Sequence, residues 1–162
     1  MNAPFRLYLV RHGEAGSAVQ DSQRELTARG RAQTQSLCEQ VASQLPDIPQ
    51  TLLVSPYTRA VQTADIVRSV LMPDVTDPAS YRLAPCLTPN EYPEKVAAFL
   101  DAQSSLVWPV VMVGHQPLLG EILAWLTDRP ELAHGVATSS ISALDLATFA
   151  RGCGTLSWQR AP

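Results

Sequence analysis

Residues 6–13 read Arg6-Leu-Tyr-Leu-Val10 followed by Arg11-His12-Gly13. A short apolar run that gives way to a basic residue, a histidine and a glycine predicts a buried strand delivering polar groups into a turn. Two further runs repeat the pattern. Thr51-Leu-Leu-Val54 stops at Ser55-Pro56, and Val110-Val-Met-Val113 runs into Gly114-His115-Gln116. Between them the apolar residues take helical spacing. Thr27 is a candidate N-cap for a helix to about Leu45, with Ala28, Ala32, Leu37, Val41 and Leu45 near one face and Pro46 as its stop. Ala60, Ala64, Val67 and Leu71 predict a second helix from Thr58 to about Leu71, ahead of Pro73.

The rest of the chain continues the alternation. Tyr81 to Ala84 predicts a short strand, then a proline-bearing loop from Pro85 to Pro93 and a helix from Glu94 to about Ala102, with Val96, Phe99 and Leu100 turned inward. Pro117 suits the first position of a helix carrying Leu118, Leu119, Ile122, Leu123 and Leu126. Ser140 to Leu146 and Thr155 to Gln159 are close enough in sequence to form an antiparallel hairpin. The expectation is an α/β fold in one domain over residues 1–162, a three-layer α/β/α arrangement with a mostly parallel central sheet and a C-terminal antiparallel hairpin. In such sheets function collects at the carboxyl ends of the strands.

Composition bounds what that site can serve. The chain has 162 residues, 46% hydrophobic and 17% charged, so it is neither disordered nor a coiled coil. Twelve basic against fifteen acidic residues leave a net charge of −3, which argues against nucleic acid or an acidic membrane as partner. Lys95 is the only lysine, so positive charge at a site has to come from guanidinium groups. Met1 to Phe5 lacks the pattern of a secretory signal, and no stretch reaches the roughly 18 apolar residues of a membrane span. Cys38, Cys86 and Cys153 are odd in number, far apart and without a CxxC pair, which predicts reduced thiols in a cytoplasmic protein. A monomer is expected.

The three strand ends deliver a specific set of groups: Arg11 and His12, Ser55 with Arg59 one turn later, and His115. Two guanidiniums offer forked donors to the oxygens of a phosphoryl group, one neutral imidazole can attack phosphorus, and a second can donate as charge shifts. A zinc site is the competing use of two histidines. Adjacent Arg11 would repel a cation, no HExxH occurs and no cysteine is near either histidine, so catalysis without metal or cofactor is expected.

At these residues the chain resembles the histidine phosphatase superfamily. Leu9-Val10-Arg11-His12-Gly13-Glu14 is similar to its opening RHG strand, Leu26-Thr27-Ala28-Arg29-Gly30 to its LTxxG helix start, Ser55 to Ala64 to its SPxxRAxQTA segment, and Val113-Gly114-His115 to its second histidine motif. Cys86-Leu-Thr-Pro89, Ala137-Thr138-Ser139 and Gly154 to Trp158 resemble the short SixA-like branch, the protein phosphohistidine phosphatases. The resemblance implies His12 as nucleophile, Arg11 and Arg59 as phosphate clamps and His115 as the second pocket imidazole. It implies a histidine-phosphorylated domain of a phosphorelay or phosphotransfer system as substrate and inorganic phosphate as product.

Larger members of that superfamily place a catalytic glutamate after the third strand. Here Arg82 to Pro89 holds no carboxylate before Glu91. An alkoxide leaving group would suffer from that, whereas an imidazole whose other nitrogen is protonated would not. The short span from Arg59 to His115 must hold two helices and a strand, leaving no room for a cap domain, and an uncapped pocket suits a phosphoryl group carried on another protein. Glu14 and Glu91 are the candidate acids, against a plain reading of each as a solvated loop residue. Thr138 and Ser139 either reach the pocket or merely begin a strand, and Gln116 either contacts ligand or caps the helix. The alternatives to a phosphohistidine phosphatase are a general small-molecule phosphomonoesterase and a non-catalytic phosphoprotein-binding module.

Overall fold

The computed structural model describes residues 5–162; of the stretch read as lacking a secretory signal, Met1 to Pro4 lie outside the described residues. The chain runs β1 (Phe5–Arg11), α1 (Ala28–Ala42), β2 (Thr51–Val54), α2 (Thr58–Leu71), β3 (Tyr81–Leu83), α3 (Pro93–Asp101), β4 (Val110–Gly114), α4 (Leu118–Thr127), β5 (Ile141–Leu146) and β6 (Gly154–Arg160). One six-stranded sheet takes the order β3-β2-β4-β1-β5-β6. The first four strands are parallel, and the hairpin β5–β6 joins antiparallel to β1. This is the expected mostly parallel sheet.

The central strands are apolar on both faces because helices cover both. Leu7, Leu9, Leu53, Val110 and Met112 pack with Val96 and Leu100 of α3 and Leu119, Ile122 and Leu126 of α4. The alternate residues, Tyr8, Val10, Leu52, Val54, Val111 and Val113, pack with Leu37 and Val41 of α1 and Ala60, Ala64 and Val67 of α2. Side chains alternate between faces along a strand, so one run of apolar residues fills two cores. Among the described residues no helix is long and apolar enough to cross a membrane.

Element boundaries differ from expectation by small steps with local causes. Helix α1 ends at Ala42 rather than near Leu45, because Gln44 closes a tight turn onto the carbonyl of Val41 at 2.8 Å. Pro117 sits just before α4 rather than at its first position, although its carbonyl accepts from Glu121. Helix α3 starts at Pro93, which takes the first-turn place where a missing N–H costs nothing. Phe99 is half-buried against the α3–α4 core, and strand β3 ends at Leu83, with Ala84 still bonded to Val54 at 2.8 Å.

Register aligns the strand ends. Val10 and Val54 both stand beside Val113, and the ladder continues one residue further, His12 donating to Gly114 and Ser55 to Val113, each at 3.0 Å. His12, Ser55 and His115 therefore leave the sheet at one edge. The loop after β1 is fastened to α1 through two glycines. A Cβ on Gly30 would lie 2.3 Å from the carbonyl oxygen of Glu14, and one on Gly13 would lie 2.9 Å from both the Gly30 carbonyl and the Thr34 hydroxyl. Thr27 caps α1 by accepting from Gly30 at 3.0 Å, as expected. Gly30→Ala forces backbone apart in this contact, so we expect a loss of about 1–3 kcal/mol in chemical denaturation. Wild-type stability for that variant would contradict the close approach.

Candidate active site

The geometry at the shared edge starts with His12, 8% exposed. Its Nδ1 lies 2.7 Å from the carbonyl oxygen of Gly13. A carbonyl can only accept, so Nδ1 carries the proton and Nε2 carries the lone pair. Arg59 agrees with that assignment, its Nε donating to His12 Nε2 at 3.3 Å. The residue that fixes the ring is itself held, Gly13 N donating to Thr63 Oγ1 at 3.1 Å and Thr63 Oγ1 donating to the Arg59 carbonyl at 2.8 Å. Arg59 and Thr63 are four apart on α2 and so occupy the same helix face.

Arg59 is only 4% exposed. Its Nη1 donates to the carbonyl of Asp21 at 2.6 Å and its Nη2 pairs with Asp21 Oδ2 at 3.1 Å. Its guanidinium also lies 5.2 Å from the centroid of the Tyr57 ring. Arg11, at the end of β1, donates from Nη1 to the carbonyl of Val136 at 2.7 Å, while its buried Nε has no partner. The His115 ring is centred 5.0 Å from that of His12 and 5.1 Å from that of Tyr57. His115 Nε2 and Ser55 Oγ are 2.7 Å apart, which leaves a buried Nδ1 without a partner. The starts of α2 and α4 follow directly on these strand ends, so two helix N-termini add positive potential here.

Burial chiefly, with the Arg59 and Arg11 charges, pushes the His12 pKa down to about 4, although the Gly13 hydrogen bond opposes the shift. Burial, then the neighbouring His12 and Arg59, push His115 down to about 3. Both rings are therefore neutral at pH 7. What results is a neutral imidazole with its lone pair on Nε2, a second neutral imidazole and two guanidiniums. Such a set has the chemistry of a nitrogen nucleophile beside groups that attract an anion.

The sequence-predicted residues divide clearly. Arg11, His12, Arg59 and His115 come together. Gln116 does the work of a cap: its Oε1 accepts from Gly120 at 2.7 Å and its Nε2 donates to the Ala133 carbonyl at 2.9 Å. Glu14 is drawn to the start of α1, accepting from Thr27 Oγ1 at 2.9 Å with Arg29 3.7 Å away. Glu91 pairs with Lys95 at 2.7 Å, one helical turn along. The loop before β5 does return to the strand ends, Ser139 N donating to the His12 carbonyl at 3.1 Å from a left-handed backbone conformation. The Ser139 hydroxyl, however, pairs with Thr34 Oγ1 at 2.9 Å, so Ser139 supports the loop, and Thr138 beside it is half-buried.

Sequence reasoning missed Asp21, Tyr57 and Thr63. The last two lie within the segment from Ser55 to Ala64, and Thr63, four residues after Arg59, was within reach of a helical-face argument. Asp21 had no signal, being a loop carboxylate whose importance depends on which side chain reaches it.

The sequence pattern of the histidine phosphatase superfamily (branch 1) matches residues 7–82. The chain is 33% identical over 160 residues to phosphohistidine phosphatase SixA of Escherichia coli (strain K12), covering 98% of this chain and 94% of that protein. It is 31% identical over 128 residues to a SixA homolog of Haemophilus influenzae, covering 75% and 77% of the two chains. A solved structure of the protein histidine phosphatase SixA complexed with tungstate superposes with a TM-score of 0.82 at 33% identity, over 97% of both chains.

The two lowered histidine pKa values carry a stability consequence. Unfolded, both rings return to about 6.5, so between that pH and the folded values the unfolded state binds more protons. The stability contributed by the neutral rings is complete above pH 6.5 and is lost as pH falls toward 4 for His12 and toward 3 for His115. Urea unfolding should show a decline below pH 6.5, up to about 1.4 kcal/mol per pH unit for each ring, and a shallower one in His115→Gln. Equal slopes in the two proteins would contradict a buried neutral pair.

Proposed function

The chain belongs to the histidine phosphatase superfamily, and we propose that within it the protein is a metal-independent phosphohistidine phosphatase with His12 as nucleophile. One observation carries this reading: the His12 ring is held as its Nδ1–H tautomer, Nε2 presented, among guanidinium and imidazole groups whose Arg11 Nε and His115 Nδ1 are buried without partners. Buried unpaired polar groups are costly, and a phosphoryl group would satisfy both. For His115 Nδ1 to donate, its proton must sit there, which makes Ser55 Oγ the donor to Nε2.

Two displacements follow. His12 Nε2 attacks phosphorus and the bond from phosphorus to the substrate imidazole breaks; that ring departs neutral when its other nitrogen already holds a proton. Water then attacks phosphorus and the bond to His12 Nε2 breaks, releasing inorganic phosphate. The proton on His12 Nδ1, kept by the Gly13 carbonyl throughout, makes His12 a neutral leaving group in this second step. Arg11, Arg59 and His115 stabilise the equatorial oxygens. Neither step calls for the carboxylate that Arg82 to Pro89 lacks, which favours a phosphorus–nitrogen bond over a phosphate ester.

Residues 58–114 form α2, β3, α3 and β4 with their short connections, in keeping with an uncapped pocket open to a phosphorylated protein domain. The single sheet recruits strands from Phe5 to Arg160, which supports one domain over the chain. Cys38, Cys86 and Cys153 are free thiols, in keeping with a cytoplasmic protein.

Incubation with a radiolabelled phosphohistidine protein followed by acid-free quenching should trap label on wild-type enzyme, and His12→Ala should carry none. Label surviving in His12→Ala would overturn the nucleophile. Arg59→Ala should lower kcat/KM by about 100-fold or more, and a phosphohistidine protein should be turned over faster than an ordinary phosphate ester. The reverse order of rates would favour a general phosphomonoesterase.

A further inference from the structure

The lone pair of His12 Nε2 accepts from Arg59 Nε–H at 3.3 Å, and a phosphorus atom bonding to Nε2 has to displace that donor. Arg59 must therefore shift before or as the phosphoryl group enters. What holds it is Asp21, through the backbone carbonyl at 2.6 Å from Nη1 and the carboxylate at 3.1 Å from Nη2.

The two anchors differ in their freedom. The carbonyl is fixed by a fastened loop: Arg24 donates to the Gly16 carbonyl at 2.7 Å, Gly16 N to Glu25 O at 2.8 Å, and Leu26 N to Gln62 Oε1 at 2.8 Å. The carboxylate has a side chain 55% exposed and is shared between two arginines, Oδ2 with Arg59 and Oδ1 with Arg24 Nη1 at 3.1 Å. Releasing Arg59 leaves it paired with Arg24 and with water, so no anion is stranded.

We propose that Asp21 is a positioning residue that acts as an internal stand-in for the phosphoryl group. Its carboxylate holds Arg59 over the nucleophile before substrate arrives, yields Arg59 to the incoming phosphoryl oxygens, and takes it back as phosphate leaves. This rests on the reading of the pocket as a phosphoryl site and adds to it a competition: the enzyme's own anion weakens phosphate binding and so favours product release.

The test is calorimetric titration of inorganic phosphate into wild-type protein and Asp21→Asn at low ionic strength, with circular dichroism confirming the fold. Asparagine keeps the shape and the backbone carbonyl but removes the charge. The variant should bind phosphate about threefold more tightly or better, in line with an exposed ion pair, and the difference should shrink with added salt. Asp21→Ser should shift the same way. A merely structural role for Asp21 predicts weaker binding instead. Unchanged or weaker binding in the folded variants overturns the proposal while leaving the phosphoryl site standing. Wild-type protein that binds no phosphate overturns both.

Discussion

The hydrogen bond from His12 Nδ1 to the carbonyl of Gly13, 2.7 Å long, decides which ring nitrogen carries the lone pair, and the surrounding structure is arranged to keep it. The carbonyl belongs to the next residue in the chain, so the bond survives only if the backbone turns sharply just after β1. Gly13 and Gly30 permit that turn to sit against α1, where a single Cβ on either would collide with backbone or with Thr34. Thr27 and Glu14 close the same contact from the other side. A nucleophile's tautomer is thus tied to the packing of a loop on a helix.

Electrostatics then follow from burial. Two arginines and two histidines at one sheet edge would be untenable if the histidines were also charged. Desolvation and the guanidiniums together keep both rings neutral, and neutrality is what a nitrogen nucleophile needs. The positive charge that remains is held in place by hydrogen bonds, Arg59 to Asp21 and Arg11 to the Val136 carbonyl. A chain of net charge −3 can hold such a site because the charge is local.

Much of this was legible in the residues. The three apolar runs ending at Val10, Val54 and Val113 were readable as strands because central parallel strands are apolar on both faces, and their ends necessarily carried Arg11, His12, Ser55 and His115. Arg59 followed from one turn of helix. Gln116 and Glu14 were ambiguous because a polar side chain beside a motif has two uses, and here the Gly120 N–H at the start of α4 and the Thr27 hydroxyl at the start of α1 donate to them. Asp21 was invisible for the opposite reason. Its role comes from the reach of a buried arginine across a loop, a distance along the chain that no local pattern records.

The whole account turns on the protonation state of one ring. Nitrogen-15 chemical shifts of the His12 imidazole at pH 7, assigned by comparison with His12→Ala, read it directly. The account predicts a neutral ring with a protonated Nδ1 and an unprotonated Nε2, persisting as the pH is lowered to about 5. A protonated Nε2, or an imidazolium at neutral pH, would contradict it.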